Sequence, residues 1–367
     1  MEFSVERDHF LRAVGLVSGV ATQKLNTLPI LGNILIESKT ANEILLAGTD
    51  LEIGISTLLE VENLVEGSIT IPGKKLHEIL RESPAGSVQV TVAKNNAVNI
   101  KSGKAIFKVI GLPKDDFPKL PEPNPTSTNF EVEQNLFKEC LTLTSFAISH
   151  DETRYVLNGV YIQLTENEIR FVATDGRRLA FMEKKLPQKN STPTEMIVPT
   201  KAIQELNRIL GHDGVVRIIP TKGQVIFHFG KTMLTTRLIE GHFPNYDQVI
   251  PKEEKTTSRV RREELLQAVR RVTLLTSTDS QFVKFDFLKD RILISSRTPN
   301  LGEAREEIPA EVSGGEVAIG FNPNYLLDVL KNLDIDSVSF SLTEPDKPGL
   351  LKGKDDYLYV VMPMQIN

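Results

Sequence analysis

Apolar residues recur along the chain at two spacings, one typical of helices and one typical of strands. In the opening segment, Phe10, Val14 and Val17 lie four and three residues apart, which places them on one face of a surface helix. The segments AIFKVIGL (105–112) and GQVIFHF (223–229) are instead rich in alternating or β-branched residues, as strands are. The pattern predicts an α+β chain.

A strand followed by a helix is predicted once in each third of the chain, in its second half. SITIPGKKLHEILR begins at Ser68, EMIVPTKAIQELNR at Glu195 and EVAIGFNPNYLLDVLK at Glu316. In the third copy, Asn322 followed by Pro323 predicts an N-cap with proline at the first helical position. We therefore expect one further helix in each copy.

The opening segment recurs as well. FSVERDHFLRAV begins at Phe3, FEVEQNLFKECL at Phe130 and SRVRREELLQAV at Ser258, a period of about 127 residues. A third block pairs Thr49–Asp50 with Thr174–Asp175. Because several blocks recur in one order, the sequence predicts three copies of one unit, each with two helices and about eight antiparallel strands.

The expected joints between the copies differ in composition from the rest of the chain. Residues 119–129 contain three prolines, which favour an extended spacer, and residues 251–257 are short and charged. We therefore expect three domains, at 1–125, 126–252 and 253–367.

Composition and charge narrow the class of protein. Hydrophobic residues make up 40% and charged residues 25% of the 367, close to globular averages. The 43 basic and 48 acidic residues give a net charge of -5, which argues against an overall basic nucleic-acid binder but leaves room for a locally basic face. The charged start and the lack of a long apolar run predict a cytoplasmic protein without a membrane span.

Candidate catalytic and metal-binding residues are few. None of the six histidines lies at HExxH or HxH spacing, so we expect no metal site. Gly230-Lys231-Thr232 resembles the end of a P-loop, but Val225 occupies the position of its first glycine. The one cysteine, Cys140, lies in an apolar series and is expected to be buried and inert. No cofactor is predicted.

The two Thr-Asp pairs allow two interpretations. Asp50 and Asp175 could be catalytic carboxylates, but each occupies an equivalent turn of a repeat, where Asp and Thr commonly bond to the local backbone. The turn interpretation is favoured. Basic residues on the predicted helices are diluted by acidic neighbours and, taken alone, favour ordinary solvated faces.

Five motifs, spread over the whole chain in order, resemble the bacterial DNA sliding clamps, the beta subunits of DNA polymerase III. They are TLPILGN (27–33), RYVLNG (154–159), ATDGRRLA (173–180), FPNY (243–246) and YVVMPM (359–364). The resemblance implies a non-catalytic processivity factor that tethers the polymerase to DNA. It implies a head-to-tail homodimer, a ring of six domains around duplex DNA with the helices lining the hole.

Simple geometry agrees with such a ring. Twelve helices spaced about 10 Å apart on a circle leave a hole of roughly 28 Å, wider than a duplex of roughly 20 Å. Phosphate contacts inside the hole would be independent of DNA sequence. By the resemblance, the DNA-facing candidates are Lys24, Lys74, Lys75, Tyr155, Lys201 and Arg208.

The family also has a pocket that receives short linear peptides from the polymerase alpha subunit, the clamp loader, other polymerases and repair proteins. By the resemblance, its wall here comprises Leu157, Thr174, Gly176, Arg178, Leu179, Pro244, Val249, Tyr325, Val360, Met362 and Met364. Flexible methionines suit a site that accepts several peptides. Gln248 departs from the arginine common in the family, and the tail QIN (365–367) departs from its usual ending.

The resemblance also locates the joint between subunits. It implies an edge strand of the first domain that meets the third domain, with charged residues facing each other across the joint. The residues concerned are Lys104, Phe107, Lys108, Leu274, Leu275, Glu303 and Glu306. The residues alone leave two other functions open: an enzyme acting at Asp50 or Asp175, and a repeat scaffold that binds proteins without encircling DNA.

Overall fold

The computed structural model describes residues 1–21, 28–123, 129–186, 193–276, 282–299 and 301–365. Over those ranges the chain has six α-helices, five short 3₁₀ helices and 26 strands, which confirms the α+β prediction. The chain groups into two compact units, Met1–Lys138 with Gln204–Leu238 (unit 1) and Glu139–Ile203 with Ile239–Asn367 (unit 2).

The helices and strands follow one order in each third of the chain. The helices are α1 (Arg7–Ser18), α2 (Gly73–Glu82), α3 (Gln134–Thr144), α4 (Thr200–Ile209), α5 (Arg262–Thr273) and α6 (Pro323–Asn332). The first nine strands are β1 (Glu2–Glu6), β2 (Asn33–Thr40), β3 (Glu43–Thr49), β4 (Ile53–Glu60), β5 (Glu62–Val65), β6 (Ser68–Pro72), β7 (Ser87–Val92), β8 (Ala97–Ser102) and β9 (Ala105–Ile110).

The remaining strands belong to the second and third repeats. They are β10 (Phe130–Glu133), β11 (Gly159–Leu164), β12 (Glu168–Thr174), β13 (Arg178–Lys185), β14 (Thr194–Pro199), β15 (Val215–Thr221), β16 (Gln224–Phe229), β17 (Thr232–Arg237), β18 (Thr256–Arg261), β19 (Val283–Leu288), β20 (Arg291–Thr298), β21 (Gly302–Pro309), β22 (Glu311–Gly314), β23 (Val317–Phe321), β24 (Ser337–Leu342), β25 (Gly349–Lys352) and β26 (Tyr357–Val361). In the described ranges each repeat thus has two α-helices, as predicted, and eight or nine strands.

Unit 1 contains two antiparallel sheets. One has the order β5-β1-β7-β8-β9, and the other has the order β10-β15-β16-β17-β4-β3-β2-β6. The pairing of β17 with β4 joins the last strand of the second repeat to the first repeat, for example through Leu234 and Ile55. The sheet therefore continues across the border between two repeats.

Unit 2 repeats this arrangement. Its nine-stranded sheet has the order β14-β11-β12-β13-β26-β25-β24-β18-β22, and a four-stranded sheet has the order β21-β20-β19-β23. Here β13 of the second repeat pairs with β26 of the third. Both units contain parts of the second repeat, and the boundaries at residues 125 and 252 stay a prediction.

The side chains that the sequence patterns assigned to the core lie there. Phe10, Val14 and Val17 of α1 are fully buried, and so is Cys140. Burial raises the pKa of the Cys140 thiol well above its ordinary value, so the sulfur stays protonated and unreactive. Asn322 caps α6 by accepting a hydrogen bond from a backbone amide of the first turn, as predicted.

Candidate functional site

The Thr-Asp pairs are turn residues, as the sequence favoured. Thr174 Oγ1 donates to the carbonyl oxygen of Arg178 at 2.6 Å, and Asp175 Oδ1 accepts from the Arg178 amide at 3.0 Å. Thr49 and Asp50 make the same two hydrogen bonds in the first repeat, at 2.8 and 2.9 Å. Asx turns of this kind hold the connection between β3 and β4, and that between β12 and β13, in one conformation.

The turn between β12 and β13 presents the side chain of Arg178 to three different segments of unit 2. Its Nε donates to Asp175 at 3.0 Å, one terminal nitrogen donates to Asp328 of α6 at 2.6 Å, and the other donates to the carbonyl oxygen of Phe146 at 2.7 Å. The guanidinium also lies 4.6 Å from the ring centre of Tyr325. Only 10% of the side chain is exposed, so its hydrogen bonds are largely shielded from water.

The start of α6 is held against β26 at the same place. The Tyr359 hydroxyl donates to the carbonyl oxygen of Tyr325 at 2.9 Å, and burial raises the pKa of Tyr359 well above its ordinary value. The ring of Phe146 lies 5.8 Å from the ring of Tyr359. Aromatic and charge-assisted contacts thus fix the third repeat to the second within unit 2.

Two of the predicted pocket residues form the floor of this region. Leu179 and Val360 are direct cross-strand partners and are each 2% exposed. They belong to one buried cluster with Tyr161 and Val172. Their contribution to a binding site is therefore its shape and rigidity, because little of either side chain reaches the surface.

The segment that follows β17 packs over the nine-stranded sheet. Phe243 stacks on Tyr161 with ring centres 4.9 Å apart, and Tyr246 lies 5.8 Å from Phe181. Pro244 is exposed between these two anchored rings. The aromatic contacts hold the segment in place against the sheet.

Three of the predicted pocket residues expose apolar side chains at the surface. Met362 is 40% exposed, Met364 38% and Val249 44%. The backbone at both methionines is anchored, because Met362 N donates to Arg177 O at 2.9 Å and Met364 N to Gly320 O at 2.8 Å. Val249 and Met362 line one cavity of about 410 Å³. A fixed backbone that carries exposed thioethers is typical of an adaptable binding surface.

The structure thus brings together most of the predicted pocket residues in pairs. Thr174 and Tyr325 contact Arg178, Leu179 pairs with Val360, and Val249 shares a cavity with Met362. Gly176 is exposed in the turn at φ +85°, where an added Cβ would lie 2.8 Å from the Arg154 guanidinium. The residues that line the cavity of Val249 and Met362 do not include the other three members of the predicted wall: Leu157, Pro244 and Met364.

Sequence reasoning missed two partners of Arg178. Asp328 and the Phe146 carbonyl both bind its guanidinium. Asp328 follows Tyr325 by three residues on α6, so the two side chains share a helix face, which was the one available signal. Nothing in the sequence marks the backbone of residue 146.

The predicted DNA-facing lysines are on exposed helix faces. Lys74 and Lys75 lie on α2 and Lys201 on α4, all exposed, although Lys75 also bonds to Glu78 at 2.6 Å. Tyr155 is 57% exposed in a 3₁₀ helix, Glu152–Leu157. Lys24 lies outside the described residues.

Arg208, the remaining predicted DNA contact, caps another helix. Its guanidinium donates to the carbonyl oxygens of Gly15 at 3.1 Å and Leu16 at 2.8 Å, in the last turn of α1, while Glu205 holds it from the other side. An added Cβ at Gly19 would lie 2.7 Å from this guanidinium. The last turn of α1 has no basic residue of its own, so Arg208 supplies the cation that favours a helix C-terminus.

We expect Arg208→Ala to lower the free energy of unfolding by about 1 kcal/mol, because it removes a cation and two hydrogen bonds from the end of α1. Urea denaturation followed by circular dichroism measures the change. Arg81→Ala is the matched control, since Arg81 lies in the last turn of α2 and its guanidinium pairs with the adjacent Glu82. Equal stability of the two variants would contradict a capping role for Arg208.

The predicted subunit joint falls on two open sheet edges. β9 is the last strand of its sheet in unit 1, and β21 is the last strand of its sheet in unit 2. On β9, Ile106 is 70% and Ile110 66% exposed, while Phe107 is half-buried. Leu274, just after α5, is 77% exposed. Open edges with exposed apolar residues favour association with another chain.

The charged residues predicted at the joint differ in their surroundings. Lys104, Lys108 and Glu303 are exposed. Glu306 accepts a hydrogen bond from Arg271 at 2.9 Å, which holds the pKa of its carboxyl below its usual range. Any pairing of Glu306 with a lysine of a second chain would therefore share its carboxylate with Arg271.

Among the described residues, no three His, Cys, Asp or Glu side chains cluster in a way that could hold a metal ion. No helix there is long and apolar enough to cross a membrane.

Comparison with protein families accounts for almost the whole chain. Residues 1–121, 131–245 and 247–365 match the N-terminal, central and C-terminal domains of the DNA polymerase III beta subunit. Proteins named beta sliding clamp from Pseudomonas putida and Escherichia coli K12 are 32% and 33% identical to this chain, and each alignment covers 100% of both proteins.

Solved structures lead to the same family. The crystal structure of the DNA polymerase sliding clamp from Bacillus subtilis has a TM-score of 0.94 at 29% identity, and the beta subunit from Pseudomonas aeruginosa has a TM-score of 0.92 at 32% identity. Both comparisons cover 100% of each chain. The chain therefore belongs to the DNA polymerase III beta subunit family, the non-catalytic sliding clamps that serve as processivity factors.

Proposed function

We propose that two copies of this chain close head to tail into a ring of six domains that encircles duplex DNA and tethers DNA polymerase III to it. The carrying observation is the match of three consecutive domain models over nearly the full length, one for each repeat. The open edges at β9 and β21 support the head-to-tail contact, since pairing them would remove two open sheet edges per chain.

Retention on DNA would then come from topology. Loading onto a nicked circular plasmid by a bacterial clamp loader with ATP, followed by gel filtration, tests this directly. We expect the protein to elute with the circle even at high salt and to be lost once the circle is linearised. A repeat scaffold that binds without encircling would be lost equally from both forms, and that outcome would refute the ring.

The helices of each repeat would face the DNA phosphates without reading sequence. Lys74 and Lys75 are exposed on α2, and Lys201 is exposed on α4. Contacts between lysine and phosphate are salt-dependent and add little specificity. A chain of net charge -5 can still bind in this way, because the basic residues would act locally.

We expect Lys74→Glu with Lys75→Glu to weaken equilibrium binding to a short duplex at low salt by about tenfold or more and to reduce its salt dependence. Fluorescence anisotropy over a salt series measures both. Lys94→Glu with Lys222→Glu makes the same change in net charge at exposed turns away from the helices. Equal weakening by the two pairs would show a general charge effect and would contradict contact through α2.

The groove around Met362 in unit 2 would receive short linear peptides. In this proposal the buried pair Leu179 and Val360 forms its floor, and Val249 and Met362, which share a cavity, form its exposed border. Because its exposed side chains are apolar, such a groove accepts aliphatic or aromatic side chains of an extended peptide segment. The proposed sources are the polymerase alpha subunit, the clamp loader, and other polymerases and repair proteins.

A further inference from the structure

Unit 1 contains a larger cavity, away from every residue assigned above. It has a volume of about 690 Å³ and lies on one face of β2, β3, β4 and β17, beside the segment that follows β9. Its lining includes Leu35, Leu45, Ser56, Leu58 and Met233. The volume is within the range of natural ligand sites, and the lining is mainly apolar.

The same place exists in unit 2, because the strand registers repeat position by position. In unit 1 the cross-strand pairs are Leu35 with Ala47, Leu45 with Leu58, and Ser56 with Met233. In unit 2 the corresponding pairs are Tyr161 with Val172, Arg170 with Glu183, and Phe181 with Leu358. The segments that cross them also correspond, FPKL from Phe117 and FPNY from Phe243.

In unit 2 this space is filled by the chain itself. Phe181 packs against Tyr246 at 5.8 Å, Tyr246 lies 6.2 Å from Tyr161, and Arg170 bonds to Glu183 at 2.5 Å. The aromatic rings and the ion pair occupy the surface that the strands and the connecting segment enclose.

In unit 1 the filling groups are missing. Ser56 stands where unit 2 has Phe181, Leu120 where it has Tyr246, and Leu35 where it has Tyr161. Leu120 packs instead over Gly54, where an added Cβ would lie 2.5 Å from it. The cavity thus results from the replacement of three aromatic rings by smaller side chains in an otherwise repeated framework.

Charged residues that line the cavity favour a basic residue next to an aromatic ring that enters it. Glu37 is paired with Lys114 at 2.6 Å and Glu43 with Lys231 at 2.9 Å. Lys39 is a second partner of Glu37, at 3.5 Å. The other three charged lining residues make no ion pair within the described part of the chain: Asp115, Lys119 and Glu122. The lining as a whole has four carboxylates and three ammonium groups, so its charge is net negative, which complements a cation.

We propose that this cavity is a second docking site, which receives an aromatic side chain next to a basic residue from a short segment of a partner protein. The aromatic ring replaces the group that unit 2 supplies from its own chain. The basic neighbour lies at Asp115 and Glu122. The site is independent of the groove proposed in unit 2, since its lining lies wholly in unit 1.

Two methionines allow the two sites to be observed separately. Met233 lines the cavity and Met362 borders the groove of unit 2. The full-length protein is labelled with ¹³C at its methionine methyl groups and titrated with acetyl-Tyr-Lys-amide. We expect a saturable shift of the Met233 signal. Acetyl-Ala-Lys-amide should bind at least tenfold more weakly, and acetyl-Tyr-Glu-amide several-fold more weakly.

Substitutions that fill the cavity test whether acetyl-Tyr-Lys-amide binds inside it. Ser56→Phe restores the ring of unit 2 and should weaken binding at least tenfold, whereas Thr221→Phe, on an exposed site of the same sheet, should leave it unchanged. If Ser56→Phe does not fold, Leu45→Arg fills the cavity from a half-buried position. Unchanged binding by the folded filling variant would overturn the proposal.

Two other outcomes would also overturn it. A shift confined to Met362 would place binding in unit 2 and leave the proposed function standing. Equal binding of p-cresol, acetyl-Tyr-Lys-amide and acetyl-Tyr-Glu-amide would identify a site for small aromatic molecules rather than for a peptide segment.

Discussion

Leu274→Ala together with Leu275→Ala should convert the proposed dimer into monomers of 40.9 kDa. Leu274 is 77% exposed just after α5, which packs against the edge strand β21, and a second chain that covered it would remove its apolar surface from water. Truncating two leucines in the centre of an interface removes apolar contact area that association requires. Multi-angle light scattering after gel filtration measures the mass.

The control is Leu51→Ala, which truncates an exposed leucine in the turn between β3 and β4. It should keep the mass of the dimer. The opposite side of the joint can be tested with Ile106→Asp on β9, which should also give monomers. An intact dimer in the double leucine variant would refute this location of the joint.

Arg178→Ala should lower the free energy of unfolding by about 3 kcal/mol, because it removes a largely buried cation from Asp328 and from Asp175, whose carboxylate is itself only 18% exposed. The Phe146 carbonyl loses a hydrogen bond at 2.7 Å as well. Since Arg178 holds the turn against α6, the variant should also bind a polymerase-derived peptide at least tenfold more weakly. Urea denaturation and fluorescence anisotropy measure the two effects.

The neighbouring Arg177 provides a matched control. Arg177 is exposed, so Arg177→Ala should change stability by less than about 0.5 kcal/mol. Arg178→Lys keeps the charge but not the planar fork, and its stability should lie between those of the alanine variant and the original protein. If Arg178→Ala were as stable as Arg177→Ala, the hydrogen bonds and the ring contact of the guanidinium would contribute nothing measurable to the stability of the fold.

Local features of this protein could be predicted because their causes lie within a few residues of each other. The apolar stripe of α1, the cap at Asn322 and the turns at Thr49–Asp50 and Thr174–Asp175 depend on helix periodicity and on hydrogen bonds to nearby backbone. The three repeats were visible for the same reason, since each copy carries its own local pattern.

Contacts between residues far apart in the sequence could not be predicted in this way. The cap on α1 comes from Arg208, about 190 residues away, and the fork of Arg178 ends on Asp328 and on a backbone carbonyl. Leu179 and Val360 were predicted to line the wall of the peptide pocket, but they are cross-strand partners and are almost fully buried. Strand register decides which side chains become neighbours, and a hydrophobic pattern records only which face of each strand is apolar.

The cavity in unit 1 is the clearest example of a feature that the sequence alone does not predict. Leucine and serine on β2 and β4 are ordinary strand residues, and nothing local distinguishes them from their aromatic counterparts on β11 and β13. Their smaller size becomes an opening only where four strands and a connecting segment converge on the same space. The sequence alone was sufficient to predict the repeated framework, because each copy carries its own local pattern. The sites were decided by the tertiary structure, because the volume and charge of a site depend on side chains from segments that are far apart in the sequence.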